Sequence, residues 1–127
     1  MRLIIIVGLI SVLAVACNTD KTYERLPVPE TTTLDISEKI DLKDYLDLTE
    51  QQKKKWEEIE LKSAERHLEN MDLKDSTRAE VFEQINIEYD NKIYAILDKE
   101  QKERFLDYKA YQRIRRQSKS IKRTQSQ

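Results

Sequence analysis

After Pro29 the chain contains neither glycine nor proline, and its only glycine is Gly8. Tight two-residue hairpins and phosphate-binding loops need residues that reach positive φ without steric cost. P-loop and dinucleotide-binding folds are therefore excluded. What remains is a chain whose order must come from periodic apolar residues.

That periodicity is helical. Trp56, Ile59, Ala64, Leu68 and Met71 recur at near-helical steps from Thr49 onward, with Lys53, Lys54, Glu57 and Glu58 mostly on other faces. Residues 72–76 interrupt the pattern, and Thr77-Arg78-Ala79-Glu80 has the spacing of a capping box for a second helix. That helix carries Phe82, Ile85, Tyr89, Ile93 and Ile96, and the pair is expected to form a hairpin. A third stripe runs through Phe105, Tyr108, Tyr111 and Ile114. Between Leu34 and Leu46 the apolar residues fit no single period, and a short helix starting at Ser37 or Asp41 is expected. The fold class expected is all-α, a small extended hairpin or bundle of three to four helices.

The two ends differ from this middle. Met1-Arg2, the apolar run Leu3–Val12 and Leu13-Ala14-Val15-Ala16-Cys17 follow the order of an export signal with a small-residue cleavage region. The run is shorter than the roughly 20 residues that span a bilayer. Ala14-Val15-Ala16-Cys17 resembles the bacterial lipobox, with alanine where leucine is commonest, and Asn18 follows in place of the aspartate that retains enteric lipoproteins in the inner membrane. Cys17 is the only cysteine, which rules out an intramolecular disulfide and assigns it to lipidation. The expected division is residues 1–16 as signal, 17–33 as lipidated cysteine and flexible tether containing Pro27 and Pro29, 34–117 as helical domain, and 118–127 as a basic disordered tail.

Charged residues make up 37% of the chain yet nearly cancel to −1, as interleaved Glu and Lys on solvated helix faces do. The exception is the C-terminal end, where Lys109, Arg113, Arg115, Arg116, Lys119, Lys122 and Arg123 follow Asp107 without an acidic residue. An exported protein seldom meets nucleic acid, so none is expected as partner, whereas lipid or lipopolysaccharide phosphates are nearby.

One motif occurs twice. Leu48-Thr49-Glu50-Gln51-Gln52-Lys53-Lys54-Lys55-Trp56 aligns without gaps on Leu97-Asp98-Lys99-Glu100-Gln101-Lys102-Glu103-Arg104-Phe105. Thr49 and Asp98 are good N-caps, and Gln52 and Gln101 stand where a side chain can return to the cap's backbone N–H. Leu48 and Leu97 would pack just before each helix. This is a helix-start device that any helical protein can use. In a small exported helical chain, the Leu-Thr-x-x-Gln element also resembles the Spy/CpxP family of periplasmic proteins, which Leu48, Thr49 and Gln52 match fully and Leu97, Asp98 and Gln101 match with Asp for Thr. The resemblance covers roughly residues 34–117. It implies a bent all-helical subunit pairing into a thin, cradle-shaped homodimer, acting as an ATP-independent chaperone or as a modulator of an envelope-stress sensor. Members are commonly free in the periplasm, whereas Cys17 would anchor this chain to a membrane.

No catalytic residue and no cofactor is expected. His67 is the only histidine, and with Met71 one turn later it forms a weak metal-ligand pair to which Glu60 adds an oxygen two turns earlier. Ser63 precedes His67 by four residues, without the glycine-built elbow of a hydrolase. The expected function is a lipid-anchored envelope protein, facing the periplasm, that binds unfolded or partner envelope proteins, with Trp56, Tyr89 and Tyr108 as candidate client contacts. The alternatives are a signalling or structural lipoprotein with one dedicated partner, and a metal sensor.

Overall fold

A computed structural model describes residues 23–127, so the signal and Cys17 lie outside the described residues. Four helices follow in order: α1 (Leu42–Leu46), α2 (Glu50–Glu69), α3 (Asp75–Ala95) and α4 (Lys99–Gln125). Among the described residues there is no strand. The helices α2 and α3 form the expected hairpin, and α1 lies against α4. The fold is all-α.

Local sequence explains most of the boundaries. Asp41, not Ser37, starts α1, accepting from the amides of Lys43 and Asp44. The helix stops at Asp47, whose φ of 52° is the one positive value among the described residues. Both copies of the repeated motif form complete capping boxes. The box expected at Thr77-Glu80 is not used: α3 begins three residues earlier than that cap implies, with Lys74 at the cap making no side-chain bond and Asp75 in the first turn, paired with Arg78. A carboxylate beside the positive end of the helix takes the place of the cap.

The two boxes then meet. Gln52 Nε2 donates to Gln101 Oε1 at 2.6 Å and Gln101 Nε2 returns the bond to Gln52 Oε1 at 3.0 Å. Each amide also donates across the junction to the carbonyl two residues before the other's cap, Gln52 to Ile96 at 3.0 Å and Gln101 to Asp47 at 3.4 Å. Gln101 Nε2 reaches the buried Leu46 carbonyl as well. The motif is thus a reciprocal knot tying two helix starts that lie 49 residues apart. Around it, Leu46, Leu48, Trp56, Ile93, Leu97 and Phe105 form the core. Every apolar position of the repeat is buried there, which is the physical reason for its residue types.

Two segments differ from expectation. Residues 23–33 are laid along the helices instead of acting as a free tether. Leu26 packs on the core, the Glu24 carbonyl accepts from Asn91 at 2.7 Å, Pro29 from Arg113, and Thr32 and Thr33 bond the Asp107 carboxylate. Pro27 and Pro29 keep this strap extended, and side chains of α3 and α4 bond its Glu24 and Pro29 carbonyls and its Thr33 amide. At the other end, the expected tail from residue 118 is helical, because α4 continues to Gln125. Its Lys, Arg, Gln and Ser residues bury little but contain no helix breaker, and Lys122 and Arg123 complement the negative end of the dipole.

Candidate binding surface

The three aromatic candidates come together. Trp56 from α2, Tyr89 from α3 and Tyr108 from α4 line one open groove of about 600 Å³, together with residues 39–43. Trp56 and Tyr108 are only 2% and 8% exposed, so they form its floor and belong to the core more than to a client-facing wall. Tyr89 is half-buried. Spacing alone does not separate these two roles, because both demand the same periodicity.

Glu60 organises the groove. Its carboxylate accepts from Trp56 Nε1 at 2.8 Å, from Lys43 Nζ at 3.1 Å and from the Tyr89 hydroxyl at 3.4 Å. Lys43 also stands 5.8 Å from the Trp56 ring centroid, within cation–π range. Burial, followed by the nearby Glu60 charge, pushes the Tyr89 hydroxyl up to about 12. Charge and aromatic surface therefore lie side by side, suited to a peptide with both. The sequence suggests Glu60 only as a metal oxygen; the signal for its actual role is its place four residues after the single tryptophan.

The apolar stripe of α2 turns outward over its second half. Trp56 and Gln52 are fixed by the core and the knot, and from them the helical period brings Ile59, Glu60, Ser63 and His67 inward. Leu61 and Leu68 lie about 120–140° round the helix from Trp56. They are 62% and 72% exposed, Ala64 between them is exposed, and Met71 just beyond the helix is 50% exposed. Exposed Lys54, Glu57, Glu58 and Glu65 flank this line. Ala64, Leu68 and Met71, which share the apolar spacing of Trp56 and Ile59, therefore lie on the solvent side, together with Leu61 seven residues before Leu68.

Polar contacts replace them at the hairpin interface. His67 packs edge-on against Phe82 with centroids 4.7 Å apart, and its Nδ1 lies 2.8 Å from the Ser63 carbonyl oxygen, leaving the Ser63 hydroxyl out of the pair. Phe82 is half-buried and Ile85 fully so. Glu88 bridges Arg66 and Lys92; burial raises its carboxyl, but those two cations outweigh this and hold it below its usual value. A cavity of about 140 Å³ lies between Ile59, Ile85 and Tyr89. Met71 does not share a helical face with His67, since α2 ends at Glu69. Among the described residues no group of three or more His, Cys, Asp or Glu side chains is placed to hold a metal ion.

No protein-family model, curated protein or solved structure matches this chain.

Proposed function

We propose that this chain is a lipid-anchored helical binding protein of the bacterial envelope, similar to the Spy/CpxP group, that captures apolar segments of non-native proteins without nucleotide. The observation that carries this reading is the line of Leu61, Ala64 and Leu68 on α2, continued by Met71 just beyond its end, held in water between charged residues. Single exposed leucines are ordinary, but an aligned set rimmed by charge is the form of an interaction surface. A thin hairpin has no further layer to cover it. Leu61 to Leu68 span about 10 Å of helix, enough for a short apolar segment held shallowly and released without an energy source.

The test is light scattering of an aggregating client with the chain from residue 18 onward, without lipid or nucleotide. Suppression near stoichiometric amounts is expected, and Leu61→Ser with Leu68→Ser should raise the amount needed several-fold without lowering thermal stability. No suppression at large excess would reject the chaperone reading. The groove favours a second reading, a dedicated partner, because Lys43, Glu60 and Tyr89 offer fixed polar contacts beside an aromatic floor. Saturable binding to one envelope protein, lost on Glu60→Ala and kept on Leu68→Ser, would favour that reading. A second copy covering the stripe would instead appear as a dimer in sedimentation, dissociated by the Leu61 and Leu68 changes.

A further inference from the structure

The last third of α4 has no role in the core or the groove. As far as Tyr111 the helix packs through Gln101, Phe105, Tyr108 and Tyr111. Beyond it, the same side of the helix carries Arg115, Arg116, Lys119, Lys122 and Arg123, an arc of about 120° without an acidic residue. Arg115 is held against the Tyr111 hydroxyl at 2.7 Å, whereas Arg116, Lys119, Lys122 and Arg123 are exposed. Seven cations after Asp107, set against a whole-chain charge of −1, leave −8 on residues 1–107. The molecule is strongly polarised along its chain.

We propose that this basic arm docks on the anionic headgroups of the membrane that holds the chain. Two observations place the arm there. The strap runs beside its start: Arg25, Leu26 and Val28 share a groove with Lys109, Arg113 and Arg116, and Arg113 bonds the Pro29 carbonyl. Only residues 18–22 separate Tyr23 from Cys17, and six chain steps reach at most about 20 Å whatever their conformation. A lipid on Cys17 therefore keeps the arm close to the bilayer surface, where each cation adds roughly fivefold to binding and the lipid anchor gains a second hold. The acidic remainder is repelled from the same surface, so the α2 stripe is turned towards solvent. Outside the cationic arc the arm carries only Ile114 and Ile121, too little apolar area for insertion, so the contact is electrostatic and salt-sensitive.

This inference rests on the envelope-anchored reading but not on client capture. Its test uses the chain from residue 17 onward with Cys17→Ala, which retains every described residue. Cosedimentation is measured with vesicles of phosphatidylcholine, with and without about one-third phosphatidylglycerol. Binding to the anionic vesicles alone is expected, abolished by high salt. Arg116→Gln, Lys119→Gln, Lys122→Gln and Arg123→Gln together should weaken it at least a hundredfold, from about fivefold per cation, with circular dichroism unchanged. Equal binding to neutral vesicles, indifference to the four substitutions, or equally tight binding to duplex DNA would overturn the proposal. So would lipid-free self-association that the same substitutions abolish. No client is present, so failure here leaves the light-scattering result standing, and the reverse also holds.

Discussion

Replacing Gln101 by alanine tests the knot that defines the junction. Gln101 is 6% exposed, and its amide makes two contacts with Gln52, accepts from the Asp98 amide and donates to the Leu46 and Asp47 carbonyls. Truncation removes these bonds and strands the Leu46 carbonyl and one end of the Gln52 amide away from water. A net hydrogen bond is worth about 1 kcal/mol, and a buried group left unpaired costs about 1–3 kcal/mol. The expected loss is therefore about 3–4 kcal/mol, a large part of the 5–15 kcal/mol typical of a small domain. In melting temperature this is a fall of about 15 °C or more. Gln52→Ala should cost less, because Gln52 is only partly buried, and the double variant should lose less than the two singles together by about 1–2 kcal/mol. Urea unfolding followed by Trp56 fluorescence is the assay, since the only tryptophan lies in the same core. Additive effects under 0.5 kcal/mol each would show that the amide pair is incidental and refute this account of the repeat.

Other measurements follow from single groups. Ile93→Ala, at a fully buried core position, should cost about 2–5 kcal/mol in the same urea assay, while Leu68→Ala should cost almost nothing. Burial raises the Asp107 carboxyl, but hydrogen bonds from Thr33 and Thr32 outweigh it and depress the group below its ordinary 3.8. Its stabilisation of the strap is therefore complete above that value and lost as pH falls through the lower folded value; proteolysis within residues 23–33 should accelerate only in that acid range, and at neutral pH in Asp107→Ala. Ultraviolet titration should find one tyrosine ionising near 12, moved towards its ordinary value of 10.0 by Glu60→Gln.

The repeat was the most legible part of the chain, because a cap, its returning glutamine and the preceding leucine are fixed by physics within six residues. Thr49, Gln52, Asp98 and Gln101 stand as their spacing implied. That the two boxes bind each other was not legible, since no local pattern states which distant carbonyls a side-chain amide will meet. Spacing also brought Trp56, Tyr89 and Tyr108 into view, but only packing separates a groove floor from a wall. For α2, Leu68 follows Ala64 at a helical step of four but stands about 120° from Trp56, whereas Ile59 lies about 60° from it on the other side. The inward face was decided elsewhere, by Gln52 and Trp56 at the base, and Ser63 and His67 followed despite their polarity. The strap looked like a linker because its prolines and threonines carry no periodicity; its order comes from partners more than 60 residues away, Asn91 and Asp107 among them. The α4 arm was misjudged because composition measures burial, and a helix already nucleated at Asp98 needs no burial to continue.

Because Gln52 and Gln101 clasp each other, the α2–α3 excursion leaves and rejoins the body at one point, like the limbs of a pair of tweezers soldered at the base. The base is filled by Trp56, Ile93 and Phe105, whereas the limbs beyond it are joined by His67 on Phe82 and by the Arg66–Glu88 ion pair. Splaying at the tip costs the latter and spares the former. Amides near residues 70–80 should exchange with solvent well before those around the knot, and a load applied at the tip should reach the strap through α3, where Arg25 pairs with Glu83 and Asn91 bonds the Glu24 carbonyl.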